Sequence, residues 1–66
     1  MSYRDVVKKA KKAGFAYRRT TGSHEVWWNF RNGLTCVIPR HFDISPGTLR
    51  GIIKQIGLSE KEFRDL

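Results

Sequence analysis

The stretch HEVWWNFRNGLTCVIP, from His24 to Pro39, has the composition of a β-hairpin. Its two halves are rich in β-branched and aromatic residues, which are typical of strands. The pair Asn32-Gly33 lies between the halves and readily adopts the positive φ angles of a tight hairpin turn. Pro39 ends the second half, because proline cannot donate a hydrogen bond to a strand ladder. The stretch therefore predicts two neighbouring antiparallel strands.

A further strand precedes this hairpin. Residues 15–20, FAYRRT, alternate in the manner of a strand, with Phe15, Tyr17 and Arg19 on one side and Ala16, Arg18 and Thr20 on the other. The following residues, TGS, form a turn signal that leads directly into His24. Three consecutive strands are therefore expected.

Helix signals flank the strands on both sides. Ser2 with Asp5 is typical of a helix N-terminus, and Gly14 of its end. An apolar stripe at helical spacing joins them, formed by Val6, Val7, Ala10 and Ala13. After the strands, Ser45-Pro46 starts a second helix and Gly57 caps it. The apolar face of that helix consists of Leu49, Ile52, Ile53 and Ile56.

The resulting order, α-β-β-β-α, belongs to the α+β class. Ser59 and Glu62 form a capping box that adds a short C-terminal helix. We expect a single domain over residues 1–66, with a three-stranded antiparallel sheet that two helices cover on one face. The other face is then open. Two adjacent indoles cannot both be core residues, and we expect Val26 and Trp28 inward and Trp27 outward.

The composition limits the function classes. The chain has 66 residues and a net charge of +7. A chain this short buries only about 60% of its unfolded surface, so any chemistry takes place on a surface or in a shallow groove. The charge favours nucleic acid as partner, then an acidic protein, then an anionic membrane surface, although solubility is an alternative reason for it. The single Cys36 and the lack of a signal peptide or membrane span favour the cytoplasm.

His24 is the candidate catalytic residue. It follows Gly22 and Ser23, which would let a backbone approach a ligand and orient an imidazole or a phosphate oxygen. An imidazole both takes and gives a proton near neutral pH, so on a basic surface this set suits cleavage of RNA without a metal or cofactor. The spacing by itself is weak evidence, because a strand-edge histidine often has no role.

Other residues have less specific signals. His41, after the third strand, is either a second proton-transfer group or a residue that holds its loop by a hydrogen bond to backbone. His24, Cys36, His41 and Asp43 match no common zinc spacing, so no metal site is predicted. The candidate RNA-binding residues are cationic or aromatic, namely Arg18, Arg19, Lys8, Lys12 and Trp27. Charge runs on helices are usually solvated faces, which favours the two arginines nearest His24.

The sequence resembles the HicA, or YcfA-like, toxins of bacterial toxin–antitoxin modules. The resemblance lies in KKAGF, RRTTGSHEVW, VIPRH and ISPGTLRGIIKQIGLSEKEF, which together cover nearly the whole chain. It implies a double-stranded-RNA-binding-domain-like fold and a toxin that is an endoribonuclease acting on messenger RNA. It also implies that His24 is the active residue and that a HicB-type antitoxin covers it. The segment VWWNF is more aromatic than the family pattern.

The alternative function is a non-catalytic double-stranded RNA-binding module. Such modules grip phosphates by shape and usually carry a lysine cluster at a helix start. Here the second helix begins SPGTLRG, with Arg50 as its one basic residue, which weighs against this alternative. A third possibility is an interaction protein whose open sheet binds another protein.

Overall fold

The structure, a computed structural model, describes residues 1–66. Three helices and three strands follow the predicted order. They are α1 (Tyr3–Lys12), β1 (Ala16–Thr21), β2 (His24–Trp28), β3 (Thr35–Pro39), α2 (Pro46–Ile56) and α3 (Glu60–Arg64). The strands form one antiparallel sheet in the order β1-β2-β3. This confirms the predicted α+β fold.

The helix boundaries are set by the predicted capping residues. The side chains of Ser2, Ser45 and Ser59 each accept a hydrogen bond from the backbone N–H three residues later, which satisfies a donor that the helix leaves free. Ser59 and Glu62 form the reciprocal capping box. Gly57 ends α2 with a φ of 87°, a conformation that favours glycine.

The connection between β2 and β3 is longer than the predicted tight turn. The six residues 29–34 separate the strands, and of the Asn32-Gly33 pair only Gly33 has a positive φ. Asn29 organises this loop. Its backbone bonds to Leu34 and Gly33, and its buried side-chain oxygen accepts the Arg31 N–H at 2.9 Å. The side-chain oxygen of Asn32 likewise accepts the Leu34 N–H at 2.9 Å, so two Asx-type bonds hold a loop that is longer than a two-residue turn.

The core lies between the helices and one face of the sheet. It contains eleven buried residues from the helices, the strands and the loops between them: Val6, Ala10, Phe15, Trp27, Cys36, Ile38, Ile44, Ile52, Ile53, Ile56 and Phe63. The helical stripes predicted from the sequence supply Val6, Ala10 and the three isoleucines of α2, with Val7, Ala13 and Leu49 partly buried beside them.

The predicted orientation of the two tryptophans is wrong. Trp27 is 4% exposed and belongs to the core, whereas Val26 and Trp28 are half-buried on the other face of the sheet. The indole N–H of Trp27 donates to Glu25 at 3.0 Å, and Tyr17 packs edge-on against its ring. A buried hydrogen-bond partner for the indole therefore selects Trp27 as the inward residue.

A β-bulge interrupts the alternation of side chains in β1, so the predicted placement of Tyr17 and Arg19 on one side is wrong. Tyr17 pairs with Trp27, but the next paired residue is Arg19, opposite Val26, so Arg18 is the additional residue. The additional residue of a bulge changes the face of the sheet on which the following side chains lie. Arg19 consequently shares a face with Val26, and Arg18 lies over the Trp28 ring with its guanidinium carbon 4.9 Å from the ring centroid. Both arginines lie on the same side of the sheet.

Candidate functional site

The site is built on the face of the sheet that the helices leave uncovered, here called the open face. Glu25 and Trp27 point to the core, so their neighbours along β2 point away from it. Strand pairing and the bulge place further residues beside them. The open face consists of Ala16, Arg18, Arg19, Thr21, His24, Val26, Trp28, Thr35, Val37 and Pro39.

His24 is the first residue of β2 and lies at one end of the open face. It pairs with Thr21 on β1 and with Pro39 on β3. The turn before it has two residues, and Gly22 adopts a φ of 60° there, which favours glycine at this position of a hairpin. The sheet therefore holds the backbone of His24 on both sides.

The imidazole of His24 is exposed and has no hydrogen-bond partner within the protein. Ser23 does not orient it, because no bond joins the two side chains. Instead, the Ser23 carbonyl accepts the backbone N–H of Arg40 at 2.7 Å, which ties the turn to the end of β3. Both ring nitrogens of His24 are thus free of contacts with polar groups of the protein.

All ionisable side chains of the open face are basic. It carries Arg18, Arg19 and His24 and no carboxylate, since Glu25, the one acidic residue in the strands, points to the core. Three of the other acidic residues, Asp5, Glu60 and Glu62, lie in the first turns of helices, and Asp43 pairs with the N-terminal amine. At Glu62, the hydrogen bonds with Ser59 lower the pKa of the carboxyl.

The remaining predicted RNA contacts are not assembled around His24. Lys8 and Lys12 are exposed on α1, which covers the opposite face of the sheet. Trp27 is buried and cannot contact RNA while the protein is folded, so the predicted role for this residue is wrong. Trp28 provides the aromatic surface of the open face, and Arg18 stacks on it.

His41 lies beyond β3 and is exposed. It makes no hydrogen bond to the loop, so the structure gives no support to a loop-holding role. It lines a shallow groove near the start of α1 together with Arg40 and Phe42. The groove adjoins the turn before His24 through the bond between Arg40 and Ser23.

Sequence reasoning missed Glu25, a buried carboxylate directly after His24. Its Oε1 accepts the Tyr3 hydroxyl at 2.6 Å and the Trp27 indole N–H at 3.0 Å, and its Oε2 lies 3.4 Å from Nε of Arg40. Burial, followed by the bond to Glu25, raises the pKa of Tyr3 to about 12. The available signal was an acidic residue inside a strand of mostly apolar residues. Such a carboxylate is buried only when it has hydrogen-bond or ionic partners, so its position indicates a buried polar cluster.

No three His, Cys, Asp or Glu side chains come together in an arrangement that could hold a metal ion. Cys36 is fully buried, and this burial raises the pKa of its thiol to about 11. No helix has the length and apolar character needed to cross a membrane.

The fold and the open face define a small basic α+β protein with an exposed, backbone-anchored histidine. Comparison with protein families identifies its class. Residues 3–58 match the family described as the HicA toxin of bacterial toxin–antitoxin modules. The chain belongs to this HicA toxin family, and it therefore acts as a toxin that has an antitoxin partner. A search of curated proteins gave no match.

Proposed function

We propose that this toxin is a metal-independent endoribonuclease that cleaves messenger RNA in the cytoplasm, with His24 in general acid–base catalysis. The observation that supports this most is the position of His24. Its ring is free and exposed on a sheet face that carries two arginines and no carboxylate. This arrangement brings a proton acceptor to a surface that attracts phosphate.

The reaction needs only groups that RNA and the open face contain. His24 removes the proton from a ribose 2′-hydroxyl, and the resulting oxygen attacks the adjacent phosphorus. The bond from phosphorus to the 5′-oxygen breaks, which leaves a 2′,3′-cyclic phosphate. The leaving 5′-oxygen takes a proton from water and becomes a 5′-hydroxyl, and His24 returns the proton it accepted to the solvent. Arg18 and Arg19 stabilise the negative charge on the phosphate oxygens.

The test compares the two histidines of the chain. We expect His24→Ala and His24→Gln to lower cleavage of RNA about 10²–10⁴-fold, with the circular dichroism spectrum unchanged. His41→Ala tests the second histidine separately, since His41 is also exposed but lies outside the open face, in the neighbouring groove. Lys61→Ala, at an exposed position of α3, is the control and should cleave at the unaltered rate. Cleavage by the His24→Ala protein at the rate of the unaltered toxin would refute the assignment.

We propose further that the antitoxin is of the HicB type and covers His24 directly. A cationic, partly aromatic face is complementary to an acidic protein surface. Diethyl pyrocarbonate, which modifies exposed imidazoles, should react more slowly with His24 when the antitoxin is bound. Equal reaction rates of His24 in the free and the bound toxin would show that inhibition is indirect.

A further inference from the structure

A groove next to the turn before His24 has the chemistry of a second nucleic-acid contact. Its volume is about 230 Å³, and we call it the Arg40 groove. It is lined by Ser2, Tyr3, Arg4, Arg40, His41 and Phe42. None of its lining residues is acidic, whereas each of the two other surface grooves, which α2 and α3 help to form, includes Glu60.

Phe42 presents its ring on a fixed backbone. Its side chain is 92% exposed, more than any other large hydrophobic residue of the chain. Its carbonyl nevertheless accepts the Tyr3 N–H at 3.2 Å, and Ile44, two residues on, donates to the Met1 carbonyl at 2.8 Å. Backbone hydrogen bonds therefore hold this segment in place, while the phenyl ring of Phe42 stays exposed and its face is available for stacking.

The carboxylate of the buried Glu25 forms an ion pair with the guanidinium of Arg40. Nε of Arg40 lies 3.4 Å from the Glu25 carboxylate, whose side chain is 8% exposed, while the Arg40 side chain is 61% exposed. Tyr3 and Trp27 fix the carboxylate through its other oxygen. The two terminal nitrogens of the guanidinium have no partner in the protein, so they remain free to donate to a phosphate.

The path from His24 to this groove crosses the end of the sheet. The backbone of Arg40 bonds to Ser23, which places the groove beside the catalytic turn. However, His24 points to the open face and Arg40 reaches Glu25 on the helix side. A flexible single strand can bend around this end, whereas a stiff A-form duplex cannot.

We propose that the Arg40 groove is a subsite for single-stranded RNA next to the cleavage site, in which Arg40 and Arg4 bind a backbone phosphate and an unpaired base stacks on Phe42. This inference rests on the proposed ribonuclease function. It adds a reason for the toxin to prefer unpaired RNA, because the stacking partner must be free of base pairing.

The test measures binding to an oligonucleotide that cannot be cleaved. A fluorescent, fully 2′-O-methylated single strand lacks the nucleophile, and anisotropy gives its affinity for the full chain. Phe42→Ala should weaken binding about 5- to 140-fold, as expected for the loss of one stacked base. Phe30→Ala is the aromatic comparison, since Phe30 is 68% exposed at the other end of the sheet, beside Trp28, and we expect a smaller loss than for Phe42→Ala.

Arg40→Gln should weaken binding and lower the slope of log affinity against log salt by about 0.7, the value for one single-strand phosphate contact. Arg31→Gln, in the exposed loop after β2, is its control. Glu25→Gln tests the positioning of Arg40. Removal of a carboxylate by itself should strengthen RNA binding, whereas loss of the anchor of Arg40 should weaken it. Weaker binding with an unchanged circular dichroism spectrum, and no further loss when Glu25→Gln is added to Arg40→Gln, supports positioning; an additive loss contradicts it.

The outcomes separate the subsite from the proposed function. If the unaltered toxin cleaves RNA but Phe42→Ala and Arg40→Gln bind the oligonucleotide normally, the subsite is refuted and the ribonuclease function stands. If these variants lose affinity for the antitoxin and not for RNA, the groove serves the partner and the subsite is refuted as well. If the unaltered toxin neither binds nor cleaves RNA, both proposals fail.

Discussion

The opposite environments of Trp27 and Trp28 predict very different effects of the same substitution. Trp27→Phe removes the indole N–H that donates to the buried Glu25 at 3.0 Å and leaves a gap in the core. A hydrogen bond to a charged group contributes about 1.5–3 kcal/mol, so we expect a loss of about 2–3 kcal/mol or more. A chain of 66 residues has a total stability of about 3–10 kcal/mol, which makes this loss severe.

Trp28→Phe is the matched change on the open face. Trp28 is half-buried, with Arg18 over its ring and the Phe30 ring 6.4 Å away. The cation–π contact with Arg18 is worth about 0.5–1 kcal/mol. Phenylalanine retains part of that contact. We therefore expect a loss below about 1 kcal/mol.

Urea unfolding followed by far-UV circular dichroism measures both losses. With a slope of about 1 kcal/mol per molar urea, Trp27→Phe should lower the midpoint by about 2–3 M and Trp28→Phe by less than about 1 M. Each variant also retains one tryptophan, and acrylamide should quench Trp28 more than Trp27. Equal midpoints, or a larger shift for Trp28→Phe, would show that the assigned faces are wrong.

Three further predictions concern charge, burial and pH. Replacing Arg18 and Arg19 together by glutamine should lower the salt slope of binding to the uncleavable oligonucleotide by about 1.4, twice the value for one single-strand phosphate; an unchanged slope would mean that neither arginine contacts phosphate. Iodoacetamide should label Cys36 only through unfolding, because the thiol is fully buried with its pKa raised to about 11, and the rate should rise with urea; rapid labelling of the native protein would contradict this. The pKa of Tyr3 is raised to about 12 in the folded protein, so its contribution to stability is complete below pH 10 and is lost as the pH rises through about 12. Tyr3→Phe should therefore be less stable than the unaltered protein at neutral pH. In a pH series of urea midpoints, the midpoint of Tyr3→Phe should fall less at alkaline pH than that of the unaltered protein.

The helix ends were predictable because their causes are local. Ser2, Ser45 and Ser59 satisfy a donor three residues away, so a short window of sequence contains both partners. Gly57 likewise acts through its own backbone. The presence and the order of the strands followed from residue types and turn signals in the same way.

The faces of the strands were not predictable, because their causes lie in other elements. The bulge at Arg18 is visible only when β1 is paired with β2. The inward position of Trp27 depends on Glu25, which in turn is stabilised by Tyr3 on α1 and Arg40 after β3. Alternation describes one strand at a time and cannot include such partners. His24 was identified correctly as exposed because its position follows from the turn before it.

The placement of the acidic residues explains how so small a protein keeps a purely cationic face. Of its six acids, three lie in the first turns of helices, where the helix dipole favours negative charge, and Glu25 lies in the core beneath Arg40. These structural roles place the carboxylates away from the open face, and the bulge places both arginines on it. RNA and an acidic antitoxin would then compete for one surface, since both are attracted by the same charges. On the proposed function, direct covering by the antitoxin would inhibit the toxin through this competition, without any conformational change in the toxin.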